Sequence, residues 1–225
     1  MNKISILLPY KENFSPNYAG AVSLHVKETT INSKYKKDIT IYGHTDYAKK
    51  YNLNYINLPI TQKNFFSSKG KAYINKFLNY EKKDNSKIIE IHNRPIYLRH
   101  LVNKTNSKFV LYFHNDPLTM EGAKTKEERI YLFENAEKII FISQWIKKRF
   151  LSMLDDHYHK SSKFFVIYHS TNKVTLNLNL KENLITFVGK LNKAKGFDLF
   201  CKSVIKILNK YPNWKAVAIG DEERE

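Results

Sequence analysis

Short apolar runs alternate with helical patterns along the whole chain. Most of these runs are continuously apolar, a pattern typical of strands that are covered on both faces, as in a parallel sheet. Repeated strand–helix–strand units imply right-handed crossovers, so the pattern predicts an α/β fold, a Rossmann-like doubly wound parallel sheet. The predicted strands are Ile4–Leu8, Asp38–Tyr42, Asn54–Leu58, Lys87–Ile91, Lys108–Phe113, Lys138–Ile142, Lys163–Tyr168, Leu184–Val188 and Lys215–Ile219.

Helix signals lie between these strands. Thr125 and Glu128 have the spacing of a capping box that opens a helix ending at Ala136. Ser143 is placed to cap the next helix, whose apolar stripe predicts that it continues to Leu154. Two further stripes predict helices: Ala72, Tyr73, Phe77 and Leu78, and Phe197, Phe200, Cys201, Val204, Ile207 and Leu208.

A polar segment divides the chain. We interpret residues 170–182 as a linker between an amino-terminal Rossmann-like domain, residues 1–169, and a strand–helix–strand unit, residues 183–225. That unit is too small to bury a core of its own. It either adds to the first sheet or begins the second domain of a longer protein, and we favour the second interpretation.

The composition is strongly basic. The formal charge is +17, and 33 of the 38 basic residues are lysine. A basic surface fits anionic partners such as nucleotide phosphates, membrane headgroups or nucleic acid, although a lysine bias also arises from genomic base composition. Arginine, the residue suited to planar base recognition, is scarce. A single cysteine, Cys201, excludes an internal disulfide and a cysteine-rich zinc site, so a cytoplasmic setting is expected.

The candidate chemistry lies where strands end, because ligands of open α/β sheets bind at the carboxyl ends of the strands. Gly20, in the loop after the first strand, either lets a phosphate approach a helix N-terminus or is a simple loop glycine. Asn93 and Arg94 follow the fourth strand, and His114 follows the fifth. The dinucleotide, P-loop and serine-hydrolase signatures are missing, and the spacing is not that of a metal site.

A third cluster, Phe187–Gly196, has the order strand, turn, helix. It carries two glycines and three lysines, among them Lys190 and Lys195, where the helix opens. Backbone N–H groups, the helix dipole and ammonium groups all favour an anion at such a turn. The alternative is a solvated lysine turn with no ligand.

These clusters together resemble GT-B fold glycosyltransferases of the retaining family 4 type. The most specific stretch is Phe187–Gly196, continued by Tyr211–Lys215 and Ile219–Asp221, against a family pattern of G-R-L-x-x-x-K-G, a helix, Y-P and a strand ending in G-D or G-x-G. Ile140–Ser143 resembles the family's strand and serine before the domain crossover. The opening strand with its loop to Gly20 resembles the family's acceptor domain, more loosely.

The resemblance implies an enzyme, a hexosyltransferase that moves a sugar from a nucleotide-sugar donor to a cell-envelope glycan or lipid-linked acceptor, as in lipopolysaccharide or polysaccharide biosynthesis. It implies that Lys190 and Lys195 bind the donor diphosphate, that Gly20 lets its loop lie close to the donor, and that His114 is a catalytic residue facing the donor sugar. Asn93 and Arg94 are predicted acceptor contacts from their strand-end position alone. This electrostatic catalysis needs no metal or other cofactor.

The chain departs from the family in two places. Lys190 stands where the family has arginine, which keeps the charge but loses the two-pronged fork. The family's pair of donor-binding glutamates, with seven residues between them, lies beyond the last residue. We therefore expect the chain to be a fragment, truncated in its carboxy-terminal domain, with little activity on its own.

The competing hypothesis is a non-catalytic basic α/β module that holds nucleic acid or anionic lipid. Nucleic acid is the less expected partner, because arginine is scarce and no interleaved aromatic and basic motif occurs. Peripheral contact with the inner face of the cell membrane fits both hypotheses. The helix around Lys147–Phe150 is the candidate patch, and the alternative is a solvated helix face with no membrane contact. A third hypothesis is a degraded gene product without function.

Overall fold

The computed structural model describes residues 3–60, 69–171, 173–175 and 181–221. The chain divides into two compact units, Met1–Thr171 and Asn172–Glu225. Of the predicted linker, residues 172 and 176–180 lie outside the described residues.

The first unit contains a seven-stranded sheet in the order β3-β2-β1-β4-β5-β6-β7. Every neighbouring pair is parallel, which confirms the doubly wound α/β prediction. All nine predicted strands are present within two residues of their predicted bounds, and the last two form a separate parallel pair rather than extending the first sheet. The strands are β1 (Ile4–Leu7), β2 (Ile39–Gly43), β3 (Tyr55–Asn57), β4 (Ile88–His92), β5 (Lys108–Phe113), β6 (Lys138–Phe141), β7 (Phe164–Val166), β8 (Leu184–Val188) and β9 (Lys215–Ile219).

The helices begin and end largely where local signals place them. The Thr125–Glu128 capping box is formed, and the Ser143 hydroxyl accepts a hydrogen bond from the N–H of Ile146 at 3.2 Å. The predicted continuation to Leu154 is wrong, because the helix ends at Leu151 and Met153 takes a left-handed φ of 63°. The helices are α1 (Ala21–Ile31), α2 (Lys69–Asp84), α3 (Ile96–Leu101), α4 (Lys126–Asn135), α5 (Gln144–Leu151), α6 (Asp156–His159) and α7 (Phe197–Lys210).

Two hydrophobic cores cover the two faces of the large sheet. Val22 and Val26 of α1 pack on one face, against a smaller core that includes Ile6 and Ile41. Helices α2 to α5 contribute to the larger core on the other face. Because right-handed crossovers run in opposite directions from the middle of the sheet, their helices fall on opposite faces. The reversal lies between β1 and β4, where a doubly wound sheet forms its ligand crevice.

The second unit is a single strand–helix–strand unit with little interior. Phe187 of β8 packs against Phe197 and Phe200 of α7, with ring centroids 5.3 Å apart in each pair. Among the described residues of this unit, Val204 is the only buried hydrophobic residue. Val188 remains 76% exposed. A βαβ unit of this size has too few layers to enclose a core, as its length predicted.

Across the described part of the chain, no helix has the length and apolar character needed to cross a bilayer.

Candidate functional site

The carboxyl edge of the large sheet holds a cavity of about 420 Å³. It lies at the reversal point and is lined from the loop after β1, the start of α1 and the residues that follow β4, β5, β6 and β7. Asn93, Arg94 and His114, three of the residues predicted from the sequence, line this one cavity together with Lys11 and His169. The converging strand ends therefore bring cationic, amide and imidazole groups to one place.

Asn93 ties the ends of β4 and β5 together. Its side-chain oxygen accepts a hydrogen bond from the backbone N–H of His114 at 3.2 Å, and its own N–H donates to the carbonyl of Tyr112 at 2.8 Å. Asn93 has a left-handed φ of 54°, a conformation that asparagine adopts more readily than most residues. Arg94 donates from Nη1 to the carbonyl of Asn93 at 3.0 Å. Asn93 thus positions its neighbours, and Arg94 brings positive charge to the cavity.

Gly20 lies directly before α1, as predicted, but a carboxylate of the protein already lies there. Glu12 accepts a hydrogen bond from the N–H of Ser23, in the first turn of α1, at 2.9 Å. A Cβ on residue 20 would come within 2.3 Å of the Glu12 Oε1 atom. Gly20 has an extended backbone that any residue can adopt. Glycine is needed at this position because the Glu12 carboxylate lies too close for a side chain. The helix N-terminus binds an anion in this structure, and that anion is the Glu12 side chain.

A chain of hydrogen bonds crosses the sheet edge beside the cavity. Glu90 Oε1 lies 2.6 Å from His92 Nε2, His92 Nδ1 lies 2.9 Å from His114 Nε2, and His114 Nδ1 lies 2.9 Å from His169 Nε2. The ring of His25, on α1, stacks on His169 with centroids 4.6 Å apart. We call Glu90, His92, His114 and His169 the histidine chain.

Burial lowers the pKa of His25, His114 and His169. Desolvation, followed by the charges of neighbouring histidines, lowers the pKa of His114 well below its usual range. Desolvation, then His92 and His169, lowers the pKa of His25 to about 4. Desolvation, then His92, also lowers the pKa of His169. These three side chains are therefore neutral imidazoles near pH 7, and a neutral imidazole is both a hydrogen-bond donor and an acceptor.

Asp116, two residues after His114, has a structural role. Its carboxylate takes two hydrogen bonds from Arg149 Nε, at 3.1 and 3.2 Å, and one from Nη2 at 2.9 Å, and it caps the following turn through the N–H of Leu118. The Arg149 hydrogen bond is the main cause that lowers the pKa of Asp116. This pairing fixes the loop after β5 against α5.

The lysine turn of the second unit, residues 189–196, has a well-defined backbone. The Asn192 side chain accepts from the N–H of Lys195 at 3.1 Å, and Gly196 takes a left-handed φ of 76° before α7. Gly220 lies so close to Gly189 that a Cβ would come within 1.7 Å of the Gly189 carbonyl oxygen. Lys190 and Lys195 are both exposed at this turn. Exposed ammonium groups beside a helix N-terminus are suited to a phosphate ligand.

Among the residues of the site that were missed from the sequence are Glu12, His25 and His169. His25 breaks the apolar face of α1 beside Val22 and Val26, which was a usable signal. His169 directly follows the predicted strand Lys163–Tyr168, so its position at a strand end was a usable signal. Among the described residues, no group of histidine, cysteine and carboxylate side chains has an arrangement that could hold a metal ion.

No family model and no curated protein matches the chain in sequence. The described structure is similar to sucrose-phosphate synthase from Thermosynechococcus elongatus, with a TM-score of 0.65 and 15% identity over 99% of this chain and 64% of that one. It is similar to HepE of Anabaena, determined in complex with UDP, with a TM-score of 0.62 and 15% identity over 98% of this chain and 61% of that one. It is also similar to the lipopolysaccharide outer core galactosyltransferase WaaB, with a TM-score of 0.60 and 14% identity over 96% of this chain and 68% of that one.

These neighbours are GT-B glycosyltransferases. The chain has the GT-B fold. It spans less than two thirds of the length of the first two neighbours. Similarity at such low identity establishes the fold alone, and the family 4 assignment and the truncation stay predictions.

Proposed function

We propose that this protein takes part in transferring a sugar from a nucleotide-sugar donor to a glycan or lipid-linked acceptor. The observation that carries the proposal is the meeting of Arg94, His114 and the start of α1 in one cavity, at the reversal point of a GT-B sheet. Its volume of about 420 Å³ is in the range of cavities that hold small-molecule ligands. Hydrogen-bonding groups at its wall suit a ligand rich in hydroxyl groups.

The donor diphosphate is proposed to bind at the lysine turn. Lys190 and Lys195 supply positive charge there, and the hydrogen bond from the Lys195 N–H to Asn192 holds the backbone in place. Preorganised positive charge stabilises the negative charge that develops on a departing diphosphate. One GT-B neighbour, HepE, was determined in complex with UDP, which supports a nucleoside diphosphate as the ligand class.

In the proposed reaction an acceptor hydroxyl attacks the anomeric carbon of the donor, with retention of configuration as in family 4. The new glycosidic bond forms as the bond to the diphosphate breaks, and the hydroxyl proton leaves with the diphosphate. Arg94 and His114 are proposed to contact the sugars, with Asn93 fixing the backbone of both strand ends. No metal is part of this proposal, because lysine ammonium groups supply the charge.

A cytoplasmic location with contact to the inner membrane surface is a further proposal, as suits a lipid-linked or lipopolysaccharide acceptor. Trp145 and Met153, which are 57% and 84% exposed, flank Lys147 and Lys148 in the sequence, on α5 and just after it. Lysines beside exposed aromatic and apolar side chains are suited to anionic headgroups. Flotation with vesicles that contain phosphatidylglycerol tests this: we expect wild type to float and Trp145→Ser/Met153→Ser to remain in the soluble fraction, and equal flotation of both would refute the patch.

Calorimetric titration with UDP-, GDP- and ADP-hexoses tests the donor proposal. We expect one nucleotide series to bind, and Lys195→Ala to weaken that binding at least tenfold, the loss of one hydrogen bond to a charged group. Lys206→Ala, on the exposed side of α7, is the matched control and is expected to bind like wild type. Failure of every nucleotide to bind, or equal binding by Lys195→Ala, would overturn the proposal.

The non-catalytic alternative is not favoured by the glycosyltransferase neighbours. A salt titration of DNA binding separates it from the enzyme proposal. Tight binding that falls steeply with salt, together with no nucleotide-sugar binding, would favour the alternative.

A further inference from the structure

The histidine chain has a chemical polarity that is set at its Glu90 end. An ionised glutamate only accepts hydrogen bonds, so His92 must donate from Nε2 to Glu90. When His92 carries a single proton, its Nδ1 atom is an acceptor and His114 Nε2 donates to it. By the same rule His114 Nδ1 accepts from His169 Nε2.

This order leaves one ring nitrogen at the far end of the chain. In this order His169 Nδ1 carries no proton, and no hydrogen bond joins it to any other residue described in the structure. His169 is exposed and lines the cavity. An unprotonated nitrogen accepts a hydrogen bond from a hydroxyl group and offers nothing to a phosphate or a carboxylate.

The surroundings hold the rings in this arrangement. His92 is fully buried, and Tyr112 stacks on it with centroids 4.8 Å apart and planes 6° apart. Burial and neighbouring histidines lower the pKa of His114, which keeps a proton from entering the middle of the chain. The titratable groups that face the chain from other elements or from the cavity are His25, Tyr112, Lys11, Glu12 and Arg94.

We propose that the histidine chain presents His169 Nδ1 as the acceptor for a hydroxyl group of the sugar in the cavity, and that Glu90 is the positioning residue that sets this polarity. The hydroxyl-binding role rests on the proposed function, whereas the polarity is a property of the folded chain alone. In the second unit the lysine turn serves the diphosphate, and in the cavity of the first unit the histidine chain serves a neutral, hydroxylated group.

Nitrogen-15 NMR of histidine side chains tests the polarity without any substrate, since long-range couplings distinguish protonated from unprotonated ring nitrogens. At pH 7.5 we expect His92, His114 and His169 all to carry their proton on Nε2. A proton on His169 Nδ1, or an imidazolium at His92, would overturn the proposal, because either reverses the chain.

Glu90→Gln tests the positioning role. An amide donates as well as accepts, so the single polarity is lost and the Nδ1–H form of His169 should become populated. Glu137→Gln removes a charge from an exposed carboxylate elsewhere in the same unit and should leave the tautomers unchanged. A variant Glu90→Gln with wild-type tautomers, or a control with altered ones, would refute a specific role for Glu90.

Ligand titration tests the hydroxyl subsite. With UDP-glucose, UDP-galactose, GDP-mannose and ADP-glucose as probes, His169→Ala should lose about tenfold in affinity for the sugar nucleotide that wild type binds, and nothing for the corresponding nucleoside diphosphate. Tyr168→Phe, at the exposed preceding residue, is the control and should match wild type for both ligands. Equal losses for both ligands, or none, would overturn the subsite. Failure of wild type to bind any probe would instead refute the proposed function, while the NMR result still judges the polarity.

Discussion

The carboxylate of Glu12 accepts a hydrogen bond from the backbone N–H of Ser23 at 2.9 Å, so an acidic side chain caps the helix that faces the cavity. Gly20 leaves room for that carboxylate, since a Cβ there would lie within 2.3 Å of it. The loop glycine predicted to admit a phosphate instead admits an internal carboxylate in this structure.

Gly20→Ala should lower the free energy of unfolding by about 1 kcal/mol, because the added methyl displaces the Glu12 cap. Glu12→Ala should cost a similar amount for the same reason. The double variant should cost clearly less than the sum, since both changes remove one interaction. Urea denaturation of the four proteins measures this coupling, and strictly additive losses would contradict it.

Acid should destabilise the first unit between about pH 6.5 and pH 4. Burial lowers the pKa of His25 to about 4 in the folded state, whereas an unfolded histidine titrates near 6.5. The unfolded state therefore binds more protons in this window, so stability is complete above about pH 6.5 and falls as the pH drops.

The pKa of His114, lowered mainly by burial, extends the same effect to lower pH. Between pH 7.5 and pH 5 the free energy of unfolding should fall by about 1 kcal/mol less in His25→Gln than in wild type. This figure allows for solvent screening of the half-buried His25 ring. Urea midpoints at the two pH values measure the slope, and an unchanged slope in the variant would count against this account.

Gly220→Ala should distort the backbone of the lysine turn, although residue 220 is not part of that turn. The added Cβ would collide with the Gly189 carbonyl oxygen and part the ends of β8 and β9, where Leu191 donates to the carbonyl of Asp221 at 3.0 Å. Under the proposed function we expect nucleotide affinity to fall about tenfold or more. Gly70→Ala, on α2 with open space around it, is the control. Calorimetric titration compares the two, and equal affinities would contradict the prediction.

Arg129→Met should be severely destabilising, by about 2–4 kcal/mol. Arg129 is buried and donates to three carbonyl groups, those of Ala123, Lys124 and Ser152, at 3.2, 2.8 and 2.8 Å. Methionine fills the space but leaves these acceptors without a donor. Arg99→Met, at an exposed position, should change stability by about 0.5 kcal/mol or less. Urea denaturation that ranked the two variants in the opposite order would refute the role of Arg129.

Local sequence patterns predicted the helices and strands because these elements depend on interactions between residues that are close together in the chain. The continuous apolar run Lys108–Phe113 and the Thr125–Glu128 capping box depend on residues within a few positions of one another. The predicted end of α5 was wrong because apolar residues continue at helical spacing to Leu154 although the helix has already ended. Met153 has a left-handed backbone conformation, so the last apolar residues of the stripe lie outside the helix. Hydrophobic spacing cannot by itself distinguish these two outcomes.

The candidate site was predictable only in part. Strand ends identified Asn93, Arg94 and His114, because the carboxyl ends of parallel strands share one edge. His25 and His169 stack on each other although they lie far apart in the chain. Their contact depends on which strands are neighbours and on where α1 crosses the sheet.

The amino-acid sequence alone determined the strands, the main helix caps, the basic charge and the lysine turn, since each follows from neighbouring residues and backbone period. Only the tertiary structure decided that Glu12 caps α1 and that Glu90, His92, His114 and His169 form one hydrogen-bonded chain. Strand order brings their elements side by side, and that order is set by the packing of whole helices on two faces of the sheet rather than by any local segment.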